Sequence, residues 1–286
     1  MKKLVLNQYQ ESIVDYYSQT ENSYKDAWDL DNTFSLHHGY WDYTVNSFSD
    51  SLLRMNAVLA GKAAIQKNMH VLDAGCGIGG SSVWLAKNIG CRVTGITLSQ
   101  KQAEQAQALA QRFGLTHLLT FQVADYCHTH FENESFDVVW AIESVCYAES
   151  KAEFAKEAFR VLKPKGTFIM ADAMVEAFEN NQHTTMRTLL DGMLVNYLET
   201  PENWTQFCAE AGFKISCLDN ISSYAQKTST RLFYFSIVAK VWAWYRQHIV
   251  RKPFTDVQVN NIKASGAQYW GLKKKLWQYQ ILHSVK

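Results

Sequence analysis

Short apolar runs alternate with amphipathic stretches between His70 and Met174, and each run has the length of a β-strand. Because the runs are continuously apolar, both faces of each strand are expected to be covered. Strands that alternate with helices predict an α/β protein with a parallel sheet and helical crossovers. The predicted strands are HVLDAG (70–75), CRVTGITL (91–98), LLTFQVAD (118–125), FDVVWAIE (136–143) and TFIMADAM (167–174). The helices predicted from their periodicity are 81–90, 99–114 and 151–166.

The pattern differs on either side of this segment. Residues 1–60 are predicted to form an N-terminal helical lid, 61–175 the core, and 176–286 a helical cap insert with final strands that complete the core sheet. We expect lid and cap to cover the carboxyl edge of the sheet, where ligands bind in open α/β folds. The elements predicted after the core are a helical insert (about 184–198), a helix (202–213), a strand (214–222), two aromatic helical stretches and a last strand (276–284).

Charge and composition narrow the classes of function. With 28 basic and 27 acidic side chains the net charge is only +1, which argues against nucleic acid as a partner. The N-terminus lacks the apolar run of a signal peptide, and the six cysteines show no CxxC spacing, so we expect reduced thiols and a cytoplasmic location.

The most apolar stretch, residues 232–245, contains Lys240 and falls short of the roughly 20 residues that span a bilayer. We predict a buried or interfacial helix there and no transmembrane segment, which leaves peripheral membrane contact allowed. The sequence leaves the oligomeric state open, a homo-oligomer included.

A glycine-rich turn, DAGCGIGG, follows the first strand and opens a helix. Gly75 and Gly77 let the backbone turn sharply and approach a ligand. Such a turn also occurs in dinucleotide enzymes, which usually carry an acid at the end of the second strand. This chain has Thr97 there, and Asp73 stands before the glycines, which suits a cationic ligand better than a pyrophosphate.

Five segments in this order resemble class I S-adenosylmethionine-dependent methyltransferases: VLDAGCGIGG, VTGITLSQKQ, VADY, FDVVWAIES and AFRVLKPKGTFIMAD. GITLS, HHGYWD and the IES segment resemble more narrowly the group of sterol, tocopherol, cyclopropane-fatty-acid-type and bacterial natural-product methyltransferases. The resemblance covers residues 36–175. It implies a Rossmann-like, doubly wound, seven-stranded mixed sheet with S-adenosyl-L-methionine as cofactor and S-adenosyl-L-homocysteine as product.

The resemblance also implies roles for individual residues in cofactor binding. The methionine part would be held by Asp73, Gly75 and Gly77, with His37 at its carboxylate. The ribose would be held by Thr97, Leu98 and Gln102, and the adenine edge would be read by Ala124, Asp125 and Tyr126. Two structural alternatives stay open: Thr97 as a simple strand end and Asp125 as a helix cap.

Two residues are candidates for the chemistry. Glu143 directly follows the fourth strand, beside the expected methyl position, and resemblance gives an acid here a role in stabilising a carbocation or assisting deprotonation. Its structural alternative is an ion pair with Lys151 or a helix N-cap. His38 is a candidate base, although a histidine in a loop is as often structural.

Five aromatic residues are candidates for the acceptor pocket: Tyr17, Tyr24, Tyr40, Trp41 and Tyr147. Aromatic faces attract a sulfonium through cation–π interaction, but the same rings could simply pack between lid and core. In the cap, Phe233, Phe235, Trp242 and Trp244 would suit an apolar pocket on the same reasoning. No metal is expected, because Cys127, His128 and His130 have no second ligand cluster at a matching spacing.

These observations predict a methyltransferase that acts on a small, apolar, isoprenoid-like acceptor, with C-methylation favoured. N- or O-methylation of a small metabolite is the alternative. A nicotinamide-dependent oxidoreductase would need an acid in place of Thr97 and a Tyr-x-x-x-Lys pair, and neither is present. A non-catalytic cofactor-binding protein stays open.

Overall fold

Seven strands form one mixed sheet in the order β3-β2-β1-β4-β5-β7-β6. The computed structural model of the chain describes residues 4–28 and 30–286. All neighbouring strands are parallel except β7, which runs antiparallel between β5 and β6. The strands are β1 (His70–Ala74), β2 (Arg92–Thr97), β3 (Leu119–Val123), β4 (Phe136–Ile142), β5 (Leu162–Val175), β6 (Lys214–Asn220) and β7 (Trp277–Val285). This arrangement confirms the predicted seven-stranded Rossmann-like sheet.

Helices cover both faces of the sheet and extend past its carboxyl edge. α4, α5 and α6 are the crossovers of the predicted alternation, and Ser99 and Ser150 cap the N-termini of α5 and α6 as helix-start residues do. The helices are α1 (Gln8–Trp28), α2 (Leu30–Thr33), α3 (Phe48–Lys62), α4 (Gly80–Asn88), α5 (Gln100–Arg112), α6 (Lys151–Val161), α7 (Thr184–Met193), α8 (Pro201–Ala211), α9 (Ser222–Tyr245) and α10 (Asp256–Lys273).

Alternate side chains of the strands enter two separate apolar layers. In β1 and β4, Val71 and Val138 pack with α3, α4 and α5, whereas Leu72 and Val139 pack with α6 and α8 on the other face. Burial on both faces explains why these strands are continuously apolar. The sheet order reverses between β2 and β4, so the crevice at the carboxyl end of β1 is the place where this fold binds ligands.

Two predicted helix ends are wrong. The helical insert predicted over about 184–198 ends at Met193, and Leu194 after it takes a left-handed conformation. The helix predicted over 151–166 ends at Val161, and β5 begins at Leu162, which pairs with Phe136. Lys163 precedes Pro164, and a residue before proline is disfavoured in helical conformation. The strand therefore starts four residues before Gly166, where the helix was expected to end.

The aromatic helix of the cap is only partly buried. α9 contains the predicted 232–245 stretch, of which Leu232 and Ser236 are buried, while Trp242, Trp244 and their neighbours face solvent. Within the described residues no helix is both long enough and apolar enough to cross a membrane.

The cap packs closely at Gly192 of α7, which touches α10. A Cβ at Gly192 would lie 2.4 Å from the carbonyl oxygen of Asn260 and 2.8 Å from the Ala264 Cβ, whereas a Cβ at Gly61 of α3 would meet no atom within 4 Å. Gly192→Ala is expected to lower the free energy of unfolding by about 1–3 kcal/mol through overpacking. Gly61→Ala should raise it by about 0.5–1 kcal/mol through helix propensity. Urea denaturation of both variants checks this, and equal effects of the two substitutions would contradict the packing.

Candidate active site

The glycine-rich turn after β1 packs against Ser144, in the loop that follows β4. Gly75 has φ +90° and Gly77 has φ +52°, conformations that side-chain-bearing residues rarely adopt. A Cβ at Gly75 would lie 2.4 Å from the Ser144 Cβ. The backbone nitrogens of Gly75 and Cys76 donate to the Ile96 carbonyl, which fixes the turn to β2. The turn therefore needs glycine for both its conformation and its close approach.

A cavity of about 950 Å³, the glycine-turn cavity, lies over this turn. Asp73 lies in its wall, where it is buried and accepts a hydrogen bond from the Ser82 hydroxyl at 2.6 Å. Burial raises the pKa of Asp73 to about 6 despite that hydrogen bond. A carboxylate held in this way gains from a cationic ligand group, which restores the charge balance that burial disturbs.

Two further polar features of the cavity fit the expected cofactor. The Thr97 hydroxyl donates to the Gln102 side-chain oxygen at 2.7 Å, so the Gln102 amide hydrogens remain available to a ligand. His37 Nδ1 is hydrogen-bonded to the His38 carbonyl, while its Nε2 is buried without a partner among the described residues. Leu98 lies between these groups in the cavity wall. A buried orphan nitrogen in a cavity wall is a group that a polar ligand would satisfy.

Of the three residues predicted to read the adenine edge, one lines the glycine-turn cavity and two do not. Tyr126 lines the glycine-turn cavity and donates to the Ser144 carbonyl at 2.9 Å. Ala124 and Asp125 lie next to it but do not form its wall; Asp125 accepts hydrogen bonds from the Gln10 side chain of α1 and from the Cys127 backbone. Their role towards an adenine ring stays a prediction.

Glu143 lies where the glycine-turn cavity meets a second cavity, the inner chamber, of about 710 Å³. Its backbone is left-handed, with φ +46°, which turns the chain sharply after β4. Its Oε1 accepts hydrogen bonds from the His38 backbone nitrogen, from His38 Nδ1 at 3.0 Å and from the Tyr279 hydroxyl at 2.6 Å. No described residue donates to Oε2.

The charge of Glu143 is preserved by these donors. Burial alone would raise its pKa, but the charge and hydrogen bond of His38, together with the Tyr279 hydroxyl, hold the pKa below the usual range of glutamate. A carboxylate that accepts several hydrogen bonds stays ionised even when buried. The alternative of an ion pair with Lys151 is wrong, because Lys151 donates to three backbone carbonyls instead. The alternative of a helix cap is wrong as well, because Ser144 is the N-cap residue of the short turn 145–147 and Ser150 caps α6.

The inner chamber has aromatic and aliphatic walls. Tyr17 and Tyr24 of α1 stack at a centroid distance of 5.9 Å, and the Tyr17 hydroxyl donates to the Tyr147 hydroxyl at 3.2 Å. The structure thus brings these three predicted tyrosines to the chamber wall. Most of the remaining wall is apolar or aromatic, and its polar groups are those of His38, Glu143, Asp172 and Gln268, besides the Tyr279 hydroxyl. The apolar and aromatic residues are Trp28, Leu36, Cys146, Ala173, Leu189, Leu190, Met193, Val195, Leu198, Trp277 and Tyr279.

Two residues of this chamber that bear on the chemistry, Asp172 and Tyr279, were not predicted. Asp172, near the end of β5, is buried and accepts from the backbone nitrogens of Cys146 and Ala173. Burial, and then the nearby charge of Glu143, raise its pKa to about 7. The aspartate that ends the TFIMAD run of the sequence could have indicated Asp172 as a candidate. Tyr279 lies 136 positions from the carboxylate that it contacts, and no local pattern indicated that contact.

Tyr40 and Trp41, predicted as acceptor-pocket residues, lie away from both cavities. Tyr40 stacks on Tyr224 of α9 with ring centroids 4.2 Å apart, and the Trp41 indole donates to the Thr228 hydroxyl at 3.0 Å. Neither ring is in the wall of the glycine-turn cavity or of the inner chamber. Both side chains instead attach the HHGYWD loop to α9, which is the packing alternative.

A third cavity, the outer groove, continues from the inner chamber to the surface. It has a volume of about 1300 Å³ and shares Tyr24, His38 and Glu143 with the chamber. Of the cap aromatics expected in an apolar pocket, Phe235 and Trp242 line this groove. Phe233 stacks on Tyr269, and Trp244 faces solvent, so the expectation is wrong for these two.

Comparison with known proteins decides the family. A family model described as a methyltransferase domain matches residues 72–170. Methyltransferase GfsG of Streptomyces halstedii is 30% identical over 220 residues, which are 75% of this chain and 77% of that protein. The chain belongs to the S-adenosylmethionine-dependent methyltransferases. The alternative of a nicotinamide-dependent oxidoreductase is therefore wrong.

Two further proteins are similar to this methyltransferase. Sterol 24-C-methyltransferase ERG6 of Saccharomyces cerevisiae is 33% identical over 177 residues, 62% of this chain and 45% of that protein, so the chain spans less than half of that relative. The structure of geranyl diphosphate C-methyltransferase from Streptomyces coelicolor A3(2) matches with a TM-score of 0.75 at 16% identity and covers 99% of both chains. At that identity the likeness shows the fold.

Asp73→Asn is expected to stabilise the fold but to weaken cofactor binding. The pKa of Asp73 rises from 3.8 to about 6 on folding, so the ionised form destabilises the fold, increasingly from about pH 4 to 6 and fully above it. The neutral amide should therefore raise the free energy of unfolding by up to about 3 kcal/mol at pH 7.5 and by nothing below pH 4. Binding of S-adenosylhomocysteine should weaken at least tenfold.

Urea denaturation at the two pH values and calorimetric titration with S-adenosylhomocysteine measure these effects. Asp15→Asn, on the exposed face of α1, is the matched control and should change neither quantity. Unaltered affinity in Asp73→Asn would remove Asp73 from the cofactor site.

Proposed function

We propose that this methyltransferase adds a methyl group to an alkene carbon of a small, uncharged, isoprenoid-like acceptor bound in the inner chamber. The observation that carries this proposal is the ionised Glu143, which lies between the glycine-turn cavity and a chamber with aromatic walls. The glycine-turn cavity would hold the cofactor through Asp73, Gly75, Gly77, Thr97, Leu98, Gln102 and His37. When bound, S-adenosylmethionine supplies an electrophilic methyl group.

Alkene methylation leaves a positive charge on the acceptor. The π electrons of the double bond form the new carbon–carbon bond, the bond from sulfur to methyl breaks with its electrons on sulfur, and the neighbouring carbon becomes cationic. Glu143 Oε2, which has no donor among the described residues, is available to face that carbon. The faces of Tyr17, Tyr24 and Trp28 add cation–π stabilisation. Loss of a proton to the carboxylate then restores the alkene.

The low pKa of Glu143 favours this chemistry over removal of a proton from a hydroxyl group. A carboxylate whose pKa lies below its usual range is a weak base, but its fixed negative charge stabilises a cation that develops beside it. The surrounding walls exclude water, which would otherwise screen the charge and capture the cation.

His38 acts as a positioning residue in this proposal. Its Nδ1 donates to Glu143 at 3.0 Å, and its Nε2 is hydrogen-bonded to the Ser229 hydroxyl at 3.3 Å. Both ring nitrogens therefore have partners within the protein. This leaves His38 poorly placed to take a proton from the acceptor, in contrast to the base suggested by the sequence.

The scarcity of basic side chains in the walls of the inner chamber and the outer groove limits which acceptors can bind. Among the described residues that line the inner chamber and the outer groove, Arg246 is the only lysine or arginine. A diphosphate group needs several basic side chains or a metal ion, so the walls favour an acceptor without a phosphate. In this respect the acceptor would resemble the sterol of the relative from yeast and differ from geranyl diphosphate.

O-methylation is the second candidate, and Asp172 is the observation that favours it. This carboxyl group lies in the chamber wall, and its pKa of about 7 is suited to general-base catalysis near neutral pH. A hydroxyl-bearing acceptor that reaches Asp172 could lose its proton there. Its product would carry a new methoxy group instead of a new carbon–methyl bond.

We further propose a cytoplasmic location, supported by the cysteines. All six are free, and burial raises the pKa of the thiols of Cys76, Cys91, Cys127, Cys146 and Cys208, which keeps them protonated and unreactive. Free thiols are typical of a reducing compartment.

Glu143→Gln is expected to lower the rate of methyl transfer by about 100-fold or more, because the amide keeps the shape but removes the charge that faces the cation. Affinity for S-adenosylhomocysteine should change less than threefold. The measurement uses deuterium-labelled methyl donor and a panel of uncharged prenyl alcohols and sterols, with NMR and mass analysis of the product. Glu210→Gln, on the exposed face of α8, is the control and should retain full activity. A methoxy product made equally well by Glu143→Gln would refute C-methylation through Glu143.

Tyr279→Phe tests the hydrogen-bond support of Glu143. Loss of a donor raises the pKa of a carboxylate, and activity requires the ionised form, so the acidic limb of the pH–rate profile should move to higher pH. Affinity for S-adenosylhomocysteine should stay constant, because Tyr279 does not line the glycine-turn cavity. A uniform loss of rate at every pH, without a shift of that limb, would show a purely structural role.

A further inference from the structure

The segment from Asn220 to Thr255 contains no acidic residue. Six basic residues lie in it, while the whole chain has a net charge of only +1. The basic residues are Lys227, Arg231, Lys240, Arg246, Arg251 and Lys252. The segment comprises α9 and the turns that follow it, so one protruding part of the molecule carries a concentrated positive charge.

The outer half of α9 has an apolar surface that no part of the described protein covers. Up to Ser236 one face of the helix is buried, whereas no residue from Ile237 to Val250 is buried. Trp242 is 52%, Trp244 58% and Val241 64% exposed. The exposed apolar side chains of this surface are Tyr234, Ile237, Val238, Val241, Trp242, Trp244, Tyr245, Ile249 and Val250. We call this surface, together with the basic side chains of Lys240, Arg246, Arg251 and Lys252, the α9 tip.

Three of the four basic side chains of the α9 tip are free for an external partner. Lys240, Arg251 and Lys252 form no side-chain hydrogen bond or ion pair with another described residue. Arg246 lies 4.6 Å from the centre of the Phe254 ring and donates to the Lys252 carbonyl. Aromatic and aliphatic side chains beside unpaired lysine and arginine are the composition of helices that lie in a membrane interface.

The α9 tip also surrounds the mouth of the outer groove. Val238, Trp242 and Arg246 belong to both the tip and the lining of the groove, which leads inward to Glu143. A molecule that enters at the tip therefore reaches the inner chamber without crossing the glycine-turn cavity. An acceptor dissolved in a lipid layer could pass along this route without being exposed to water.

We propose that the α9 tip docks on an anionic lipid surface and that the outer groove takes its acceptor from that surface. Tryptophan and the aliphatic residues enter the interface, and the lysine and arginine side chains contact anionic head groups. A second copy of this chain is a poorer occupant, because a symmetric contact would bring two equally basic surfaces together. The acceptor route depends on the proposed function, whereas the docking itself does not.

Vesicle flotation with the full chain tests the docking without any methyl transfer. The protein should bind vesicles of phosphatidylcholine with 30% phosphatidylglycerol and bind pure phosphatidylcholine at least tenfold more weakly. Neutralisation in Lys240→Gln/Lys252→Gln should weaken binding to the anionic vesicles about 30-fold, the effect expected of two basic side chains near such a surface. Lys67→Gln/Lys156→Gln makes the same change of charge at exposed sites elsewhere and should bind like the unaltered protein.

A separate variant tests how much the apolar side chains of the α9 tip contribute to vesicle binding. Trp244→Ser/Ile249→Ser removes two exposed side chains that line neither the chamber nor the groove and should reduce binding at least tenfold. Tyr43→Ser, another exposed aromatic position, should have no effect. Absence of binding to anionic vesicles would overturn the proposal. So would a concentration-dependent dimer in sedimentation analysis that Trp244→Ser/Ile249→Ser abolishes. Activity of the variants with a soluble acceptor separates this failure from a failure of the proposed chemistry.

Discussion

A buried negative charge requires partners, and Glu143 obtains them from two distant parts of the chain. His38 precedes the core, Glu143 follows β4, and Tyr279 belongs to the antiparallel strand β7. The lid segment, the sheet and the last strand are therefore joined at one carboxylate. Removal of either donor would leave a charged group buried and incompletely hydrogen-bonded, which is costly in a low-dielectric interior. The position of β7 between β5 and β6 has this chemical consequence as well as its role in completing the sheet.

Asp172 shows how the same environment gives two carboxyl groups different properties. Glu143 receives three hydrogen bonds and stays ionised, whereas Asp172, close to that charge, has a pKa near neutrality. Like charges that share a buried site favour protonation of one of them. The chamber thus contains one permanent anion and one group that can exchange a proton near pH 7. This difference decides which of the two residues suits cation stabilisation and which suits proton transfer.

Much of the sheet and of the cofactor turn could be predicted from the sequence, because strand length, helical period and glycine spacing are local properties. The boundary at Val161 was missed because the proline that ends the helix acts on the residues before it. The contacts of Tyr40 and Trp41 could not be predicted, because their partners, Tyr224 and Thr228, lie on a helix almost 190 positions later. Contacts of this kind depend on how the cap packs, which no periodicity indicates. Glu143 was found from a motif, but its donors could not be found in the same way.

Helix α1 contributes to both ligand cavities at once. Ile13 and Val14 line the glycine-turn cavity, and Tyr17 lines that cavity and the inner chamber. The helix is attached at its start through Tyr9, whose hydroxyl donates to the Leu194 carbonyl, and through Gln10, which donates to Asp125. A displacement of α1 that exposes one ligand would therefore uncover the other. Under the proposed function, exchange of donor and acceptor would be mechanically coupled, and the cation would stay enclosed for as long as the spent cofactor is retained.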